Sequence, residues 1–250
     1  MAPADLCLRL LALYPERMNI YADRGNLLFL RKRCEWRGIA FEPTAASIGE
    51  RFDPRAHDLI YIGGGQDADQ RAVAGDLLAT KREAMAEAIG ADAVVLAVCG
   101  GYQLLGHSYQ LGGERIPGLG LIDAETVREP GERLIGNVAI EVDLDGSDRV
   151  LAGFENHGGR THLGPSATPL GRVLAGHGNN GSDESEGVRL RELIATYLHG
   201  PLLPKNAWLA DHLIASALAH HYVERPTLEG LDDRLERAAH AGARKAAGLR

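Results

Sequence analysis

The sequence predicts an α/β protein: a mostly parallel sheet with helices on both faces and an antiparallel extension. Three observations carry this. Short, largely apolar runs such as Asp58–Ile62 and Ala93–Val98 alternate with longer helical stretches, as expected for strands covered on both sides. Glycine turns follow two of these runs, Gly63-Gly64-Gly65 and, one residue later, Gly100-Gly101. Beyond Leu111, glycine is frequent and the apolar runs become short and β-like, which suits added antiparallel strands.

Leu6–Leu13 reads as the first strand. Gly25–Gly38 reads as a helix closed by Gly38, and Ile39–Glu42 as a short strand. Asp58–Ile62 is a buried strand that ends in the triple-glycine loop, and a long helix follows from about Asp67 to Ile89. Ala93–Val98 is the next buried strand; Cys99 and two glycines then lead into a helical run, Tyr102–Leu111. Residues 112–200 carry β-like runs at Gly118–Val127, Arg133–Val142, Val150–Glu155, Gly171–Ala175, Val188–Leu190 and Leu193–Leu198. Lys205–Tyr222 is a helix, and the charged, alanine-rich tail beyond Arg225 is helical. The expected organisation is one domain over residues 1–224 and a charged helical tail over 225–250.

The bulk numbers narrow the function classes. A chain of 250 residues can bury a sizeable core, and its net charge of −7 speaks against nucleic acid as a partner. No apolar run approaches a membrane span, and the start lacks a basic region and a small-residue cleavage site. Three widely spaced cysteines, Cys7, Cys34 and Cys99, suit a reducing cytoplasm and show no zinc-type spacing.

Strand, cysteine, two glycines, helix is the layout of a nucleophile elbow. The glycines are expected to allow a strained turn and a close substrate approach, and the helix N-terminus to favour thiolate at Cys99. A cysteine nucleophile needs a base. His199 is the best candidate, because it ends the run LIATYLHGP at the sheet edge that also carries Cys99. His157 and His162 are weaker candidates, and His212, His220 and His221 sit on the late helix. The glycines at 63–65 could present N–H groups to an oxyanion, with Gly100 N–H as the second donor. A phosphate reading fails for want of GxGxxG or GxxxxGK[ST].

Here the residues resemble a family. The loop GGG, the elbow CGGYQLLG at 99–106 and the late histidine of TYLHGP at 196–201 are similar to class I glutamine amidotransferases of the cobyric acid synthase branch. Further segments narrow this: YPERMNIYADRGN (14–26), IGGGQD (62–67), RLIGN (133–137), NHGGRT (156–161), GHGNNGSDESEG (176–187) and ATYLHGPLLPKNAWLAD (195–211). Together they resemble the glutaminase subunits of lipid II isoglutaminyl synthase, over most of the chain.

The resemblance implies a flavodoxin-like amidotransferase fold and a set of roles. Cys99 attacks the side-chain amide of L-glutamine, and His199 protonates the leaving ammonia. Gly64 or Gly65 and Gly100 supply oxyanion donors. Gln103 and His157 contribute to substrate binding, and Arg133 serves substrate use. The implied partner is a Mur-ligase-like (MurT-like) subunit that binds ATP, forms a heterodimer with this chain and presents lipid II; no cofactor or metal is expected in this chain. Two departures stand out. The acid usually found two residues after the histidine is Pro201 here, so a remote acid such as Asp23 or Glu155, or a Cys–His dyad, would have to serve. The glycine often found two residues before the cysteine is Ala97. The alternatives are a cobyric acid synthase-type amidotransferase and a non-catalytic subunit that docks a ligase.

Overall fold

The computed structural model describes residues 6–19, 23–111, 113–222 and 226–249. The expected domain boundary at 224–225 lies outside them. The chain runs β1 (Cys7–Leu13), α1 (Arg24–Glu35), β2 (Ala40–Ala46), β3 (Leu59–Ile62), α2 (Asp67–Asp76), α3 (Arg82–Gly90), β4 (Val94–Val98) and α4 (Gly100–Leu105). There follow β5 (Ser108–Leu111), β6 (Glu114–Pro117), β7 (Ala124–Val127), β8 (Leu134–Leu144), β9 (Ser147–His157), β10 (Arg160–Leu163), β11 (Gly171–Ala175), β12 (Ser185–Glu186), β13 (Val188–Leu190) and β14 (Leu193–Thr196). Helices α5 (Leu202–Lys205), α6 (Ala207–His221) and α7 (Arg234–Ala246) complete the chain.

The central sheet has the order β13-β14-β4-β3-β1-β2 and is parallel except at β13. Every residue of β3, β4 and β14 is buried, which is why these strands are almost entirely apolar; the buried Thr196 of β14 donates its hydroxyl to Glu186. Edge strand β2 is largely exposed and carries Pro43, which a central strand would not tolerate.

Beyond the elbow the structure departs from the sequence reading. The helix after Cys99 stops at Leu105, and Ser108–Leu111 pairs instead with β6 and β7. Gly106 is the cause: a Cβ there would lie 2.6 Å from the Ala124 carbonyl oxygen, so the chain crosses too closely for a helix to continue. The antiparallel extension of the central sheet is β13 alone; Leu193–Leu198, expected in that extension, instead pairs in parallel with β4 through β14. The remaining strands form two separate four-stranded sheets, β10-β7-β5-β6 and β12-β11-β8-β9. The second is organised by the hairpin of β8 and β9, paired without interruption from Leu134↔His157 to Leu144↔Ser147. Its turn is Asp145-Gly146, with φ of 66° and 71°, the backbone a tight hairpin requires.

The long helix expected over 67–89 is present but carries a π-helical turn at Leu77–Lys81. That turn buries Lys81, whose Nζ donates to Asp76 (2.5 Å) and to the Ser47 carbonyl (3.0 Å) and lies 4.7 Å from the centre of the Tyr14 ring. Burial alone would raise the Asp76 carboxyl, but hydrogen bonds from Lys81, Tyr14 and Gly49 hold it down at about 2.

The tail helix α7 is tied to the body. Asp233, just before it, accepts from the fully buried Arg33 (2.7 Å), which also binds Asp211 on α6. His240 Nδ1 donates to the Lys205 carbonyl (2.9 Å), and Asn137 on β8 donates to the Ala246 carbonyl (3.2 Å). Among the described residues, no helix is long and apolar enough to cross a membrane.

Candidate active site

Cys99 stands between β4 and α4 with φ 52° and ψ −105°, a conformation that L-residues seldom adopt. Its N–H donates to the Thr196 carbonyl (2.8 Å), and its own carbonyl accepts from Gln103 N–H (3.1 Å), so both sides of the elbow are pinned. The strain sits on the cysteine itself. Gly100 and Gly101 serve close approach: a Cβ on Gly101 would be 2.6 Å from the Ile62 carbonyl, and one on Gly100 would strike the Gln70 amide and lie 3.1 Å from Gly65 N.

The thiol is not pre-ionised. Burial pushes it up to about 12 and the nearby Asp23 adds to this, against an opposing Gly100 N–H and the Arg133 charge. The sequence expectation of a thiolate held by the helix N-terminus is thus corrected: α4 has only six residues, and desolvation outweighs it. His199 is held in the complementary state. Burial, helped by His157, Lys205 and Arg133, lowers it to about 4, so the imidazole is neutral and able to accept a proton. Its position follows from the sheet. Val98 of β4 is level with Thr196 of β14, so Cys99 leaves the sheet beside the strand that leads to His199. Two backbone hydrogen bonds to Phe154 (3.0 and 3.1 Å) fix the histidine there.

The cysteine opens onto a cleft of about 770 Å³ whose lining includes Gly65, Gln103, Arg133 and His157. Gln103 Oε1 accepts from Gln70 Nε2 (3.1 Å) and its Nε2 donates to the Tyr197 hydroxyl (3.1 Å), which settles how its amide faces. The His157 ring stacks on Tyr197 at 3.6 Å, donates from Nδ1 to the Gly159 carbonyl (2.8 Å) and sets Nε2 3.7 Å from Glu155. Arg133 donates to the side chain and carbonyl of Asn156 (2.9 Å each), which holds it at the cleft. Its charge reaches both Cys99 and His199.

Gly64 does not face the cleft as an oxyanion donor: its N–H is taken by Asp23 (2.8 Å). Gly65, by contrast, lines the cleft with its backbone N close to Gly100. Of the two remote acids, Asp23 lies against this loop and near Cys99, where burial lifts its carboxyl to about 7. Glu155 accepts from the His177 and Gly178 N–H groups and faces His157. His162 is half exposed and pairs with Glu129. His212 pairs with Asp145 at the β8–β9 turn, and His220 and His221 approach Asp58, which directly precedes β3. The sequence reading missed Gln70 and Arg128 at the cleft. A buried glutamine on a helix and an arginine at a strand end carry no motif that would single them out.

Residues 9–207 match the family of CobB/CobQ-like glutamine amidotransferase domains. The chain is 40% identical to the lipid II isoglutaminyl synthase (glutamine-hydrolyzing) subunit GatD of Streptococcus pneumoniae over 222 residues, 88% of this chain and 84% of that one. It is 39% identical to the same subunit of Staphylococcus aureus over 203 residues, 81% of each. Cobyric acid synthase of Rhodobacter capsulatus is 35% identical over 57% of this chain but only 30% of its own length. In fold, the chain is similar to the Thermotoga maritima PurLQS structure, with a TM-score of 0.54 at 17% identity, over 86% of this chain and 99% of that one. The chain is therefore a glutamine amidotransferase that belongs to the CobB/CobQ-like family and, within it, to the GatD group.

Proposed function

We propose that this chain is the glutaminase subunit of a lipid II isoglutaminyl synthase and uses Cys99 and His199 as a nucleophile–base pair. The observation that carries the reading is the strained Cys99 at the cleft, with Gly65 N–H beside Gly100 and a neutral His199 at the end of the neighbouring strand. His199 takes the thiol proton as Sγ attacks the side-chain carbonyl carbon of L-glutamine. The Gly65 and Gly100 N–H groups receive the negative charge that forms on the carbonyl oxygen. As the C–N bond breaks, the imidazolium returns the proton to the departing nitrogen, which leaves as ammonia and a γ-glutamyl thioester. Water, deprotonated by the same imidazole, attacks the thioester; glutamate departs and the thiol is restored.

The ammonia passes to a Mur-ligase-like partner, which binds ATP and activates the α-carboxylate of D-glutamate in the peptidoglycan stem peptide. Support for this acceptor is the likeness to two GatD subunits over four-fifths or more of this chain. The test is depletion of the protein in its host, with mass spectrometry of the digested cell wall. The expected result is an acid in place of the amide at the second stem position. Normal amidation of the stem, with corrinoid amidation disturbed instead, would favour the cobyric acid synthase-type reading.

Among the described residues Arg133 donates to Asn156, a neutral partner, and it lines the cleft. Arg133→Ala is expected to lower kcat/KM for glutamine by about 10- to 100-fold, the scale of one lost charge-assisted contact. The fold should survive, since an exposed arginine of this kind contributes little stability. Unchanged kinetics in the complete complex would remove it from the site.

A further inference from the structure

We propose that Arg128 and Asp67 clasp the two charged ends of the substrate amino acid, Arg128 the α-carboxylate and Asp67 the α-ammonium. This deepens the glutaminase reading and rests on it. The argument begins at Gly158. A Cβ there would collide with Arg128 Nη1 and press on Arg133 Nη1, which puts the two guanidinium ends within about 5 Å of each other. The glycine thus makes the room in which Arg128 lies. Among the described residues no carboxylate is recorded on either guanidinium: Arg133 bonds to Asn156, and Arg128 is joined only through its backbone N–H, to Gln110 (2.9 Å). Two like charges held this close in a cleft, without a counterion from the chain itself, attract an anion that both can share.

The two arginines are not equivalent. Arg133 is bonded to Asn156, two residues along β9 from the Phe154 that pairs with His199, whereas Arg128 is bonded to Gln110 on β5. Arg133 is therefore the inner cation and Arg128 the outer one. Glutamine has the same layout: its side chain separates the carbonyl carbon that Sγ attacks from the α-carboxylate. Asp67, at the start of α2, is the one carboxylate among the described residues that line the cleft, and its side chain makes no ion pair or hydrogen bond with any of the described residues. A cleft with one acid and two arginines is complementary to an amino-acid head group that carries both charges. It would reject an uncharged primary amide of the same length.

The test compares substrates as well as variants, with this chain in complex with its partner subunit. Ammonia release is measured from L-glutamine, from γ-aminobutyramide, which lacks the α-carboxylate, and from glutaramate, which lacks the α-ammonium. Arg128→Ala should lower kcat/KM for L-glutamine about 10- to 100-fold, chiefly through KM, and leave the rate on γ-aminobutyramide unchanged. Arg128→Lys should recover part of the loss, since it keeps the charge without the planar fork. Asp67→Asn should weaken the use of L-glutamine but not of glutaramate. Equal losses on all three substrates would overturn the assignment. So would an unchanged KM for L-glutamine with weaker association to the partner, which would make Arg128 a docking residue. If the wild-type complex releases no ammonia from L-glutamine, the glutaminase reading fails and takes this assignment with it.

Discussion

Replacing Cys99 with alanine is expected to lower ammonia release from glutamine by at least about a thousandfold, the usual scale for loss of a covalent nucleophile. The fold should persist, because the elbow is held by backbone hydrogen bonds to Thr196 and Gln103 that alanine retains. Cys7 and Cys34 provide the control. Cys7 lies in β1, away from the cleft, and Cys34 is buried on α1, where desolvation lifts its thiol to about 12. Alanine at either position should leave turnover near normal. Treatment of the complex with an electrophilic glutamine analogue should add mass at Cys99 alone. A Cys99→Ala complex that still releases ammonia at close to the wild-type rate would rule the mechanism out.

His199→Ala should abolish turnover, with a smaller effect for His157→Ala, because His157 spends its Nδ1–H on the Gly159 carbonyl and faces Glu155. The pH dependence separates His199 from an ordinary surface histidine. Its imidazole is lowered to about 4, so the neutral base is present from there upward. The acid limb of kcat/KM, which reports the free enzyme, should therefore fall well below the ordinary histidine value of about 6.5. The same group contributes to stability in one direction only. The unfolded chain binds a proton at His199 below about 6.5 and the folded chain does not until about 4, so stability is lost as pH falls across that window. Urea midpoints taken across it should show less loss for His199→Ala than for the wild type. An acid limb near 6.5, or an essential His157 with a dispensable His199, would refute the assignment of the base.

Much of this was legible in the sequence, for physical reasons. Strands buried on both faces are largely apolar, so Asp58–Ile62 and Ala93–Val98 announced the parallel sheet and the edge that carries Cys99, whereas Leu193–Leu198, expected in the antiparallel extension, pairs in parallel with β4 through β14 and leads on to His199. What failed was reading periodicity where one pattern serves two structures. Tyr102–Leu111 fits a helix, and only the close crossing at Gly106 converts its second half into β5. The separate sheet of β8 and β9 escaped notice although Asp145-Gly146 is a strong hairpin signal, because half-buried strands do not reveal which sheet they join. The thiol was misjudged because burial cannot be read from a motif, and Gly64 because a distant residue, Asp23, claims its N–H. Arg128 was invisible for the opposite reason: its significance lies in a neighbour without a side chain, Gly158.

The backbone at Cys99 sets heat resistance against activity. Reflected through the origin, its angles become φ −52° and ψ 105°, near the broad extended region that any residue occupies without penalty. Glycine has no handedness and would accept the elbow freely, whereas every other residue incurs a strain of about 1–3 kcal/mol there. Selection of variants for thermal survival alone would thus drift toward glycine at position 99 and discard the sulfur. Under the proposed mechanism, the cysteine persists only where ammonia production is itself under selection.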